Sequence, residues 1–141
     1  MEAENKMVIE FDGISENEAF ARAAVAAFVA PMDPTLEELT EIKTALSEAV
    51  SNSVIHGYDG STGTVRVGCS CIGRMVELYV EDFGKGIENI DKAKEPLYTS
   101  KPEQERSGMG FTVMEIFMDR LTVESSKDIG TKVTMMKRLG R

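Results

Sequence analysis

Glu48, Asn52 and His56 recur at intervals of four within TEIKTALSEAVSNSVIHGY, a stretch whose apolar residues repeat with a helical period. That spacing stacks the three side chains on one slowly drifting helix face, so they look into a common groove. A carboxylate and an amide one turn apart can do two jobs at a triphosphate. The amide oxygen can hold Mg²⁺, and the carboxylate can take a proton from an attacking hydroxyl. The same spacing also suits a solvated helix face that ends in a histidine near the negative end of the helix dipole.

Two further groups could share that work. Asp82-Phe83-Gly84-Lys85-Gly86 follows a strand whose Val76, Leu78 and Val80 point to one face, and strand parity puts Asp82 on that face with them. A buried carboxylate needs a donor, and an amino group such as that of adenine would supply one. Gly84 and Gly86 let the backbone come close to a flat base, although D-x-G-x-G also reads as a plain strand-to-loop turn. Ser107-Gly108-Met109-Gly110 places small residues before Phe111 and Val113 at a helix start, where free N–H groups attract phosphate. It matches neither G-x-x-x-x-G-K-S nor a Rossmann fingerprint.

The elements that must position these groups are legible in outline. KMVIEFD, residues 6–12, reads as a strand, and Ser15 with Glu18 forms an S-x-x-E capping box for a helix running to about Ala30, before Pro31. Thr35 with Glu38 forms a second box, opening a helix to Gly57 with Leu36, Leu39, Ile42, Leu46, Ala49, Val50 and Ser53 on its core face. Alternation from Thr64 to Cys71 and from Met75 to Glu81 about Gly73 predicts a hairpin. RLTVESS and TKVTMMK, flanking Asp128, Ile129 and Gly130, predict another, and a helix from about Gly108 to Met118 lies between the two hairpins. The expected fold class is α+β: a two-layer sandwich of a mixed, mostly antiparallel sheet covered on one face by helices. Residues 94–107, KEPLYTSKPEQERS, have two prolines, many charges and no period, and read as a long functional loop, a lid.

Composition narrows the function classes. With 141 residues and 42% hydrophobic content, one domain over 1–141 is the expectation. Lysine and arginine number 16 against 24 aspartates and glutamates, and 16 − 24 = −8, a charge that repels nucleic acid. No apolar run approaches the roughly 20 residues that span a bilayer, and MEAENKMVIE has no signal-peptide pattern, so a cytoplasmic protein is expected. Cys69 and Cys71 share one face of a strand as small hydrophobes, with a disulfide or half a zinc site as the alternative. Met114, Met118 and Met135 fall in apolar patterns and read as core.

The order E-x-x-x-N on a helix, D-x-G-x-G at a strand end, a lid, a G-x-G helix start and Gly130-Thr131 opening the last strand resembles the Bergerat ATP-binding fold of the GHKL superfamily over nearly the whole chain. The resemblance implies that Glu48 is the catalytic base, that Asn52 is the Mg²⁺ ligand and that Asp82 bonds the adenine amino group. It further implies that Gly84 and Gly86 shape the adenine pocket, that Ile87 contacts the nucleotide, that Ser107, Gly108, Met109 and Gly110 cradle the phosphates, and that Thr131 helps read adenine. Nucleotide contacts are also implied for His56, Thr99, Ser100, Lys101 and Phe111, and a catalytic role for Arg106.

ENEAFAR, AFVAPMDPTLEELTEIKTALSEAVSNSVIHGY and EPLYTSKPEQERSGMGF are more similar still to the sporulation anti-sigma F factors, a family of serine kinases. That likeness implies ATP or ADP with Mg²⁺ as ligands, a sigma factor of the sigma-F type as partner, and an anti-anti-sigma protein phosphorylated on serine. It also implies a homodimer built partly through the N-terminal strand and helix. A histidine kinase would need a phosphoacceptor histidine on a separate helical domain, and gyrase-type or mismatch-repair ATPases a transducer domain, neither of which is expected here. Arg22 is the candidate partner contact, unless it only packs its stem on the surface. A nucleotide-switched sigma-binding module without phosphotransfer needs the same pocket, whereas a purely structural module predicts no thermal shift with ADP or ATP.

Overall fold

A computed structural model describes residues 4–57, 63–87, 94 and 110–140, except for the side chains of residues 56 and 57. Its elements are β1 (Glu4–Asp12), α1 (Asn17–Val29), α2 (Leu36–Asn52), β2 (Thr64–Ile72), β3 (Met75–Asp82), α3 (Gly110–Phe117), β4 (Arg120–Ser126) and β5 (Gly130–Arg138). A 3-10 turn at Ala30–Met32 follows α1, and a π turn at Ser53–Gly57 ends α2.

The strands form one sheet in the order β1-β2-β3-β5-β4. Among the described residues every ladder is antiparallel, so the sheet is not mixed as expected. The reason lies in the connection through α3, which returns the chain to the far edge as β4; the tight turn then brings β5 back beside β3. Alternation sends Val65, Val67, Cys69 and Cys71 of β2, Val76, Leu78 and Val80 of β3, and Val133 and Met135 of β5 to the inner face. There they meet Ala21 and Val25 of α1, Ile42, Leu46 and Val50 of α2, and Met114 of α3. Full burial of a side chain such as Ile42 or Leu46 contributes about 1.5–3 kcal/mol relative to exposure. Cys69 and Cys71 are free and buried, and burial raises both thiols.

The outer face carries ion pairs between strands. Arg66 bonds Glu10 on β1 (2.6 Å) and Glu81 on β3 (3.2 Å). The Tyr79 ring lies over Gly68, where any Cβ would fall 2.0 Å from a ring atom. Among the described residues no helix is long and apolar enough to cross a membrane.

The two capping boxes behave differently. At α2 the Glu38 amide donates to Thr35 Oγ1 (3.0 Å) and the Thr35 amide to Glu38 Oε1 (2.8 Å), and Glu38 Oε2 also accepts from the Gly140 amide (2.7 Å). At α1 the expected Ser15–Glu18 box does not form: the N-cap is Glu16, with no side-chain cap bond. Glu16 is already helical in φ and ψ, so Ser15 lies outside the cap position. The Asn17 amide group instead donates to the Asp12 carbonyl (2.8 Å), and Glu18 faces Arg22 (3.6 Å).

Leu36, expected in the core stripe, is 82% exposed. At the same end Lys137 is buried, donating to the Phe117 carbonyl (2.7 Å) and pairing with Glu41 (3.0 Å).

Candidate functional site

The capping box fixes where α2 starts, and the burial of Ile42, Ala45, Leu46, Ala49 and Val50 fixes its rotation. Glu48 and Asn52 then fall on the side of α2 that meets α3. The measure of that meeting is Gly110, the first residue of α3: a Cβ added there would lie 3.3 Å from Glu48 Oε2, 3.3 Å from Asn52 Nδ2 and 3.4 Å from Asn52 Oδ1. A carboxylate, an amide and the start of a helix thus converge on one point, and glycine leaves room between them. The first N–H groups of a helix have no partner within the helix and favour an anion.

Asp82 closes β3 on the inner face, between Val65 of β2 and Thr131 of β5, and is 3% exposed. Its carboxylate accepts from the Gly84 amide (3.0 Å), the Ser53 hydroxyl and the Thr131 amide. Burial raises its pKa above the ordinary carboxylate range, while those three donors pull the other way and the nearby Glu81 charge adds to the rise. A carboxylate offers about four lone-pair positions. The three donors among the described residues are fewer than that, so the carboxylate can accept from a further group.

The loop after Asp82 is tied to the β4–β5 hairpin. The Asp128 amide donates to the Lys85 carbonyl (2.6 Å), and the Ile87 amide to Ser125 Oγ (2.7 Å). Gly86 has φ +77°, and a Cβ there would meet the Ser126 carbonyl at 2.2 Å; Gly130 has φ +141°, and a Cβ there would meet the Asp82 carbonyl at 2.1 Å. Both positions require glycine because backbone passes backbone. Gly86 therefore uses its freedom against the protein's own chain, and Gly84 supplies an N–H to Asp82.

The geometry brings together Glu48, Asn52 and Gly110, and separately Asp82, Gly84 and Thr131; Ser53, adjacent to Asn52, links the two groups. Ile87 is partly buried against the core, and Phe111 lies within the core itself. Arg22 donates to Ser47 Oγ (3.2 Å) and faces Glu18, so it is held against α2 one residue before Glu48. Thr99, Ser100, Lys101, Arg106, Ser107, Gly108 and Met109 lie outside the described residues, as does the side chain of His56. Two contributors were not read from the sequence: Ser53, taken there as a core-stripe residue, and Ser125. A polar residue on the apolar stripe of α2, opposite a strand-end aspartate, was the available signal for Ser53.

Among the described residues no cluster of three or more His, Cys, Asp or Glu could hold a metal by itself. The Asn52 amide and Glu48 carboxylate, within 3.4 Å of one point, do form an oxygen-bearing pair that suits a hard cation sharing its shell with a ligand's own oxygens.

Comparison with known proteins places this geometry among others. The pattern of the histidine kinase-like ATPase domain family matches residues 15–137. The anti-sigma F factor of Clostridium kluyveri is 63% identical over 134 residues, covering 95% of this chain and 94% of that protein. Its counterpart in Clostridium perfringens is 58% identical over 137 residues, covering 96% of this chain and 98% of that one. Among solved structures, the RsbU and RsbW domains of a Mycobacterium tuberculosis protein superpose with a TM-score of 0.71 at 22% identity, covering 97% of this chain and 33% of that one. The histidine kinase domain of a blue-light activated kinase from Erythrobacter litoralis gives 0.56 at 18% identity, covering 86% of this chain and 61% of that one. These two likenesses concern the fold.

Proposed function

The chain belongs to the histidine kinase-like ATPase domain family and, within it, to the anti-sigma F factors, and from that premise we propose that it binds ATP, holds a sigma factor of the sigma-F type, and phosphorylates a serine of an anti-anti-sigma antagonist. The observation that carries this reading is the convergence of Glu48 and Asn52 on the start of α3, linked through Ser53 to the buried Asp82.

In this reading the adenine amino group donates to Asp82, and the phosphates lie toward the start of α3. Asn52 would hold Mg²⁺, which neutralises phosphate charge when bound. Glu48 takes the proton from the serine hydroxyl as the serine oxygen bonds to the γ-phosphorus and the bond from that phosphorus to the bridging oxygen breaks, releasing ADP. Positioning and charge neutralisation supply most of the rate in such transfers. Lys101 or Arg106 would add positive charge from the lid, and Arg22, held beside Ser47, would meet the partner. Assembly as a homodimer in the cytoplasm belongs to the same proposal. It is supported by β1 standing at a sheet edge with Val8 57% exposed and by Phe20 of α1 at 53%.

The test uses radiolabelled ATP with an anti-anti-sigma protein, together with Glu48→Gln. The wild type should label a serine on the antagonist, and the variant should lose about 10²–10⁴-fold in transfer rate, the usual worth of a general base, while its nucleotide affinity changes little. Wild-type labelling by the variant would remove Glu48 from the role. A variant that binds ATP and retains the sigma factor but labels nothing would separate the holding function from the transfer.

A further inference from the structure

Asp82, Thr131 and Ser125 stand in register across three neighbouring strands, all on the inner face. Ser125 Oγ lies 2.7 Å from the Ile87 amide, 3.0 Å from the Gly130 carbonyl and 2.8 Å from Thr131 Oγ1. Its single proton has one productive destination. The Ile87 N–H can only donate, so it takes a lone pair of Ser125. The Gly130 carbonyl can only accept, and at 3.0 Å it would repel a hydroxyl oxygen that did not donate to it. Ser125 therefore donates to Gly130, and the remaining contact is possible only if Thr131 donates to Ser125. With its proton spent there, the Thr131 hydroxyl keeps only lone pairs for anything else it meets.

We propose that Ser125 is a positioning residue that fixes the Thr131 proton, so that Thr131 and Asp82 both present acceptors at the base end of the site and select a 6-aminopurine over a 6-oxopurine. The inference rests on the nucleotide reading above and deepens it. An amino group at the purine 6-position donates to both side chains, whereas a 6-oxo group meets two acceptors and finds no donor between them. The Ser125 hydroxyl itself touches neither base nor phosphate in this arrangement and acts only through Thr131 and the Ile87 amide.

The test is calorimetric titration of the full chain with ATP and with inosine triphosphate, in the presence of Mg²⁺. Wild type should prefer ATP. Ser125→Ala frees Thr131 to turn its proton toward the base and should narrow the ATP-to-inosine preference about tenfold, the worth of one hydrogen bond; Ser125→Thr, which keeps a hydroxyl in place, should restore it. Thr131→Val should narrow the preference to a similar degree, and adding it to Ser125→Ala should narrow it no further. Equal weakening of both nucleotides by Ser125→Ala, with the preference intact, would show a merely structural clamp and overturn the proposal. So would a narrowed preference in Ser125→Ala but not in Thr131→Val. A wild type that binds ATP and inosine triphosphate equally defeats this inference and leaves the nucleotide reading standing; one that binds neither defeats both.

Discussion

The two ends of α2 each hold a carboxylate bonded to backbone amides, and the two are used in opposite ways. Glu38, at the N-terminal end, is partly exposed and accepts from the Thr35 and Gly140 amides, and those bonds hold its pKa below the ordinary value. Asp82, beside the C-terminal end, is buried, and burial raises its pKa despite three donors. Glu38 joins the helix start to the end of the chain and holds structure. Asp82 bears the cost of burial, as a group kept for a ligand would. A partly exposed carboxylate tied to its own chain stabilises the fold, and one buried with its pKa raised despite three donors marks a candidate site.

The sharpest way to break that contrast is Asp82→Asn. It should weaken ATP binding about 100-fold, in line with roughly 3 kcal/mol for a hydrogen bond to a charged group, and still unfold cooperatively in a circular dichroism melt. Normal affinity by calorimetry would mean that Asp82 is no more a ligand group than Glu38. Next in size is Thr35→Ala, which removes one side of the capping box and should cost about 1 kcal/mol in urea unfolding. Nucleotide affinity should stay at the wild-type value, and a large loss would show that the two ends of α2 are coupled.

The smallest effect is the most diagnostic, because the two carboxylates should titrate with opposite sign. Glu38, with a lowered folded pKa, contributes stability that is present above its unfolded value of 4.5 and lost as pH falls through the folded value. Asp82, with a raised folded pKa, imposes no charge cost below its unfolded value of 3.8, and the cost grows as pH rises from there through the folded value. Urea unfolding between about pH 3 and 7 should therefore show the wild-type advantage over Glu38→Gln growing with pH. The same series should show any advantage over Asp82→Asn shrinking. Parallel trends for the two variants would contradict the assignment.

Much of this was legible in the residues, and the exceptions share a cause. Thr35–Glu38 and Ser15–Glu18 carry the same S/T-x-x-E signature, yet only the first forms a box. At the second, Asn17 reaches the end of β1 and Glu18 turns to Arg22, contacts that the local pattern does not contain. Leu36 fits the period of the α2 stripe but is left exposed in the folded chain. Ser53 sits on the same stripe, and its partnership with Asp82 depends on where β3 ends beneath α2. Ser125 has no motif at all, since its three contacts come from the loop after β3 and the facing strand.

The amino-acid sequence by itself determined most of the elements and the strand face on which Asp82 lies, because dihedral preference and side-chain period act over a few residues. Only the tertiary structure decided that Glu48 and Asn52 meet the start of α3, that Gly86 and Gly130 pass close to backbone of the chain itself, and that Ser125 meets Thr131. Those facts depend on strand order and helix packing, which bring together residues far apart in the chain, and no local preference specifies a distance between them.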